Sequence, residues 1–331
     1  ATRAELYKFV DDELTAVAPL LKAPKTNEQF RVDQAAAWML QAKLYMNSQV
    51  YINTDKYAAA LPLIAKVTGT GYALHNNYNQ LFLADNDKNG AQNEFIFAVA
   101  FDGIRTQGWG GTTFLVHAPV GGSMNAASFG INGGWAGIRT TSAFVDKFAA
   151  NTADRRGQFY TSGQTKEIKD IGSFTDGYAI QKFKNVDKNG VQGSDKAGNF
   201  TDPDFPIFRL ADVYLMYAEC AARGAAGASL TTATGYINAL RTRANAATIS
   251  TLTADATGLQ LILDERAREL HWEGHRRTDL IRFGKFSDGS YIWPWKGGVA
   301  SGTQTQSFRN LFPIPANALA SNNKLQQNPG Y

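Results

Sequence analysis

Hydrophobic positions at the start of the chain recur at helical rather than strand spacing. Leu6, Phe9, Val10, Leu14, Val17 and Leu21 follow one another by intervals close to a helical repeat, which predicts an amphipathic helix over Glu5–Leu21. Pro19 and Pro24 end it, because proline has no amide hydrogen to continue the ladder. The next segment, "RVDQAAAWMLQAKLYMNSQVY", carries Val32, Ala35, Ala36, Met39, Leu40, Lys43 and Leu44 along a helix of about five turns with a small-residue face. Asn53, Thr54 and Asp55 supply turn and N-cap chemistry. "KYAAALPLIAKVTGTGY" then reads as a further helix ending at Gly69.

Two helices with alanine on their facing sides and a short connection make a helical hairpin of the tetratricopeptide kind. The pattern returns with helices at Phe208–Gly224, Thr231–Asn245 and Leu259–Trp272. Between them the periodicity fades. "GWGGTTFLVHAPVGGSMNAASFGINGGWAGIRTT" is typical of a stretch rich in Gly, Asn, Thr and aromatics, the composition of long loops and short strands. The expected organisation is mainly α. A tetratricopeptide-like scaffold occupies 1–89 and 206–287. A loop-rich insertion at 90–205, packed on the scaffold, carries the binding loops, and a loop and extended tail occupy 288–331.

Composition narrows the classes of function. The longest apolar run, Phe95–Phe101, is too short to span a bilayer. "ATRAELYKFVDDELTAVAPLL" starts directly as a helix and not as a signal peptide, as expected of a chain without an address or of a mature or trimmed form. The net charge is +4, with 33 basic and 29 acidic residues interspersed, so no face for nucleic acid is expected. Cys220 is the single cysteine, which excludes an intrachain disulfide and a cysteine zinc cluster; among helix formers it reads as a small buried hydrophobe.

The stretch with the densest chemistry is "ERARELHWEGHRRTDLIRFGKF", Glu265–Phe286. His271 and His275 are four apart, as in zinc peptidase helices, but Trp272 stands where the general base would be and no third ligand is evident. Glu265, Glu269 and Glu273 recur every four residues and suit paired glycosidase carboxylates by spacing alone. The interleaved Arg266, Arg268 and Arg276 favour ion pairs instead, and arginine beside a carboxylate lowers its pKa, the wrong direction for a general acid. "DNDKNG" at 85–90 opens like a calcium loop, yet Ile96 stands where the twelfth-position Glu belongs, so a turn is the better reading. No P-loop, nucleophile elbow or dinucleotide fingerprint occurs. The expectation is charged scaffolding, with Leu261, Leu263, Ala267 and Leu270 in the core, no catalytic residues, no metal and no cofactor.

The same stretch resembles the signature of the SusD/RagB family of surface nutrient-binding lipoproteins. "FPIFRLADVYLMYAECAARG", "GGWAGIRTTSAFVDKFAANTADRR" and the end "LFPIPANALASNNKLQQNPGY" agree with it in order. The resemblance implies a tetratricopeptide-like fold, no enzyme activity, and oligosaccharide binding at the cell surface of the outer membrane. It also implies a SusC-like TonB-dependent transporter as partner, and a lipid anchor on an N-terminal cysteine that this chain does not contain. Family members carry a long segment before the first helix here. "FSDGSYIWPWKGGV" looks like the equivalent part of starch-binding members, which makes α-glucan the preferred ligand.

A sugar site needs exposed aromatic faces edged by short polar groups. Trp109, in "TQGWGG", is the first candidate, with Gln107 and Thr106 beside it; Tyr78, between Asn77 and Asn79, is the second. The resemblance implies that the arc of Trp and Tyr used by the starch-binding members lies at about this stage of the chain, where Tyr78 and Trp109 match it by position only. Trp293 and Trp295, around Pro294, are a possible second platform, a transporter contact or a plug. Trp135, Trp272 and Trp38 read as packing. Two other functions compete with glycan binding: a protein-interaction scaffold of an uptake complex for another nutrient such as peptide, and a glycosidase using Glu265 and Glu269.

Overall fold

The computed structural model describes residues 1–331 and divides into two compact units, 1–275 and 276–331. The first helix, α1 (Arg3–Val17), starts in a capping box: the Thr2 hydroxyl accepts from the Glu5 amide, and the Glu5 carboxylate accepts from the Thr2 amide. Its buried side is Tyr7 and Leu14, whereas Leu6, Phe9 and Val17 of the predicted stripe are exposed. A polar clamp sets this rotation. Asp11 accepts from the side chains of Gln41 (2.8 Å) and Tyr45 (2.8 Å) of α2 (Gln34–Met46), so α1 turns its Tyr7–Asp11–Leu14 side inward.

Asp33 caps α2 at the Ala36 amide. A short helix, α3 (Ser48–Ile52), and the left-handed Asn53 lead into α4 (Tyr57–Thr68), which ends at Gly69. Ala35, Ala36, Met39, Ala42 and Met46 face Ala60, Leu61, Ile64 and Val67 in one core; the alanines keep the two helices close. Val32 and Leu40, expected on the packed face, are exposed.

The second helical group follows a strand. "FPIFR" alternates partly exposed and buried residues and forms β4 (Phe205–Arg209) rather than the first turn of a helix. It pairs antiparallel with β1 (Phe95–Val99), so the two ends of the intervening segment are joined by one ribbon. Helix α7 (Leu210–Ala222) closes the first core with Leu210, Val213, Met216 and Cys220; the Cys220 sulfur lies 3.4 Å from that of Met46. Helix α8 (Leu230–Arg243) packs on α7 through the stacked rings of Tyr214 and Tyr236, 4.1 Å apart, and α9 (Ala256–Leu270) lies against α7 as well.

Between β1 and β4 the chain forms α5 (Gly111–His117), α6 (Ser142–Val145), the two-residue strands β2 (Phe159–Tyr160) and β3 (Ala179–Ile180), and turns. A second core gathers Tyr78, Leu81, Phe82, Val116, Val120, Phe129, Ile131 and Phe183 beneath them. Residues 85–90 form a turn clipped by its own side chains. The Lys88 and Asn89 amides donate to the Asp85 carbonyl, and the Asn89 side chain to the Asp85 carboxylate. In the second unit, α10 (Arg276–Arg282) and α11 (Ala316–Ser321) are joined by turns. No helix is long and apolar enough to cross a membrane.

Buried charges fasten the segment between the strands to α9. Arg156, wholly buried, donates to Asp154 (2.9 and 2.7 Å), Glu265 (2.7 Å) and Glu269 (3.1 Å). Arg209, at the end of β4, donates to Glu94 (3.0 Å), Glu269 (2.6 Å) and Glu273 (2.6 Å). Lys182 holds Glu273 at 2.7 Å. Helix α9 stops at Leu270, and His271 has extended ψ, so His271 and His275 are not one helical turn apart and Glu273 reaches the network from the turn beyond. Leu263, Ala267 and Leu270 are buried as expected, Leu261 only partly, and Ile262 takes its place.

Candidate functional site: an exposed aromatic surface at helix α5

The carboxylates of the signature stretch are sealed. Burial pushes Glu265 up, but Arg156, Arg268 and Arg241 outweigh it and hold the carboxyl at about 2. Glu269 is likewise buried and held below its ordinary value by Arg243, Arg209 and Arg156. Burial brings Lys182 down to about 8 against the opposing pull of Glu273. Both acids are permanently ionised near neutral pH, fully hydrogen-bonded and out of reach of a substrate, an arrangement for structure and not for proton transfer.

Tyr78 belongs to this buried assembly. Its side chain is 0% exposed, its hydroxyl donates to the Glu269 carbonyl at 2.8 Å, and its ring edge meets Phe82. No face remains for a sugar, which corrects the expectation placed on Tyr78. The neighbours serve the same turn: Asn77 accepts from the Asn79 amide, and Asn79 accepts from Gln158. Leu81 and Phe82, one turn on, are buried in the same core.

Trp109 is 59% exposed and stands just ahead of α5. Gln107 is exposed two residues away and donates weakly to the Gly103 carbonyl (3.3 Å). The base of the loop is fixed by carboxylates: Asp204 accepts from the Phe101 amide and Asp202 from the Gly103 amide, each at 2.8 Å. Gly111 allows the turn into α5, with φ of +58° and the Phe101 ring where a Cβ would lie.

Trp135, expected to be packing, is 41% exposed and shares this surface. Its ring lies 6.1 Å from that of Trp109 at 55° and 6.0 Å from Phe114, and Phe200 supports Trp109 at 4.9 Å. The Trp135 indole is stacked on the buried imidazole of His117 (5.0 Å, 19°). The backbone is equally fixed. The amides of Trp135, Ala136 and Gly137 donate to the carbonyls of His117, Val120 and Ala118, at and just beyond the end of α5. The His117 Nδ1–H donates to the Gly133 carbonyl (2.7 Å). Two indoles and a phenyl ring are thus presented on a rigid base. Neighbouring glycines were the signal common to Trp109 and Trp135; only folding brings them together.

Trp293 and Trp295 lie in the second unit and are half-buried. The Trp293 ring meets the buried Lys296 ammonium at 4.6 Å and Tyr291 at 6.2 Å, while Lys296 donates to the Asp288 and Tyr291 carbonyls.

Two predictions concern the aromatic surface. A Cβ on Gly134 would lie 2.0 Å from the Val120 carbonyl oxygen, in backbone that carries Trp135. Gly134→Ala is expected to cost about 1–3 kcal/mol in denaturant unfolding and to alter Trp135 fluorescence, as the 133–137 segment shifts to relieve the clash. The second concerns Asp204, which burial raises to about 7, Asp87 and Asp202 adding to the rise against the Phe101 amide. A carboxyl with a raised folded pKa stabilises the fold at low pH, and that contribution is lost as the pH rises from about 4 to 7. Asp204→Asn, which keeps an acceptor for the Phe101 amide, is therefore expected to be more favourable to stability at pH 8 than at pH 4. Equal effects at both would place the Asp204 carboxyl in its ordinary range.

Residues 152–331, more than half of the sequence, match the SusD family, and the chain belongs to that family. It is 35% identical to the starch-binding protein SusD of Bacteroides thetaiotaomicron over 99% of this chain and 65% of that protein, so it spans just under two thirds of that relative's length. Among solved structures, surface glycan-binding protein A from Bacteroides uniformis superposes with a TM-score of 0.71 at 22% identity, covering 98% of this chain and 68% of that one. A laminarin-binding SusD-like protein gives 0.70 at 22% identity, over 99% and 70%. These relatives are named for binding and not for catalysis, and the helical scaffold is the fold they share.

Proposed function

We propose that this protein is a non-catalytic glycan-binding subunit that holds an oligosaccharide, preferentially an α-glucan, on the surface formed by Trp109 and Trp135. Gln107 lies at its edge, on the segment 90–205. The observation that carries the reading is the pair of exposed indoles 6.1 Å apart, one supported by Phe200 and the other by His117. Sugar rings present C–H faces to such planes, and the gain is the apolar area covered. The planes are inclined by 55°, so a glycan that covers both must turn between adjacent contacts, which suits a curved chain and not a flat ribbon; the preference for α-linkage rests on the likeness to the starch-binding relative. The sealed carboxylates offer no acid and base for hydrolysis.

The family supports the rest of the reading: a lipid-anchored position on the outer-membrane surface, and delivery of the glycan to a SusC-like TonB-dependent transporter. Trp293 and Trp295, on a separate unit, are the residues we assign to a second contact. Calorimetric titration with malto-oligosaccharides and cyclodextrin, beside laminari-oligosaccharides, tests the ligand in the parent and in Trp109→Ala. Selective α-glucan binding that weakens in the variant is the expected result. A preference for the β-linked series overturns the α assignment, and no sugar binding at all favours a protein-interaction scaffold.

A further inference from the structure

A second cavity, with none of the residues of the aromatic surface, lies where the α1–α2 connection crosses β1. It has a volume of about 210 Å³, the space of roughly seven waters, which matches one sugar ring rather than a chain. Its apolar lining combines the partly exposed rings of Phe30, Tyr72 and Phe97 with the buried Phe95, Ile96 and Ala98, and the Lys25 ammonium lies 5.3 Å over the Tyr72 ring. Its rim carries Asn93, Gln92 and Arg31. The exposed Asn93 side-chain amide makes no hydrogen bond within the protein; the Gln92 side chain accepts from the Gly90 amide (2.8 Å) and keeps its NH2 unengaged, and the Arg31 guanidinium has only a 3.8 Å contact with Glu28, both of those groups being exposed.

The connection that forms one wall is held at several points. The Lys25 amide donates to Asp33, the Lys25 ammonium to the Gly71 carbonyl (3.0 Å), and Gln29 to the Asp87 carbonyl (2.9 Å). Lys25 and Phe30 both adopt positive φ, +63° and +70°. Non-glycine residues pay for that conformation in strain, and only a well-determined surrounding keeps them there. The wall is therefore pre-formed, and a ligand need not order it.

From the aromatic lining, the unengaged amides and the size, we infer that this cavity is a second carbohydrate site, taking a single terminal or side-branch sugar ring. Amides donate and accept, as neutral hydroxyls require, and the guanidinium adds donors. The formal charges around the cavity cancel, Lys25 and Arg31 against Glu28 and Asp33, which disfavours an anionic ligand. The inference rests on the glycan-binding reading and extends it to a site that reads one ring instead of a chain.

The test uses the Trp109→Ala/Trp135→Ala double variant, so that the aromatic surface is removed. Maltose and laminaribiose are titrated separately into the labelled protein, and the side-chain amide signals of Asn93 and Gln92 are followed by 15N–1H spectra. At least one disaccharide is expected to give saturable shifts. Adding Arg31→Ala and Asn93→Ala, with the Gln92 signals as readout, is expected to weaken that binding about tenfold, the loss of one or two hydrogen bonds. No saturable shift with either sugar overturns the inference, as does saturation unchanged by the added substitutions. Failure of the first reading looks different: the double variant would keep the parent's affinity for long oligosaccharides.

Discussion

Arg156→Leu is expected to destabilise the folded protein by about 3–5 kcal/mol, the largest effect of any single substitution proposed for this chain. Arg156 is wholly buried and is shared by three carboxylates, those of Asp154, Glu265 and Glu269. Leucine approximates part of the volume but leaves these acids with fewer partners in a medium that solvates charge poorly. Arg241 and Arg268 still reach Glu265, and Arg209 and Arg243 still reach Glu269, so the network is weakened and not abolished. Asp154 loses the most, since Arg156 is the cation that pairs with it.

The deficit also has a defined pH dependence. Glu265 has its ordinary pKa of 4.5 lowered to about 2 in the folded parent. A depressed carboxyl contributes stability above its unfolded pKa and loses it as the pH falls through the folded one. Without Arg156 the native carboxyl takes up its proton at higher pH. The difference between parent and variant should therefore narrow as the pH falls from about 4.5 towards 2. Urea unfolding at pH 7 and pH 3 measures both features. A deficit below about 1 kcal/mol at pH 7, or one that widens in acid, would show that Arg156 does not hold these acids as the geometry implies.

Trp135→Ala is expected to weaken oligosaccharide binding at least tenfold, and as much as Trp109→Ala. Covering one indole face removes roughly 60 Å² of apolar area from water, worth about 1.5 kcal/mol, and tenfold in affinity is about 1.4 kcal/mol. Trp135 is held more firmly than Trp109. Its ring is stacked on His117, where Phe200 meets Trp109 at a tilt, and its backbone is bonded to the end of α5, so less freedom is lost when a sugar binds. The two rings are neighbours, so their effects are not independent. The double variant is expected to lose less than the sum of the single losses, because either ring alone has lost the wall that the other provides. Calorimetry on the four proteins closes the cycle. Binding by Trp135→Ala equal to that of the parent would return Trp135 to the packing role its sequence context suggested.

How much of this was legible in the sequence depends on the range of the interactions involved. Helices α2, α4, α7, α8 and α9 follow from hydrophobic spacing, caps and turn residues, all of which act within a few residues of each other. That Glu265 and Glu269 pair with arginines was legible, but of the interleaved arginines it is Arg268 that reaches Glu265, while Arg266 pairs with Asp212; Arg156, 109 residues from Glu265, and Arg209 and Arg243 at Glu269 come from distant segments. Trp109 stood out because glycines surround it.

The tertiary structure decided what local pattern leaves degenerate. An amphipathic stripe on α1 has two usable sides, and the Asp11 clamp to Gln41 and Tyr45 chose the less apolar one. Tyr78 and Trp135 have similar local surroundings of small polar residues or glycine, yet one is sealed under α9 and the other lies open on α5. Side-chain exposure is set by which distant segment covers it, and that depends on contacts formed across more than a hundred residues. The sequence by itself determined the scaffold helices α2, α4, α7, α8 and α9, the family signature and the kind of chemistry available. Packing alone decided which aromatic faces were left exposed.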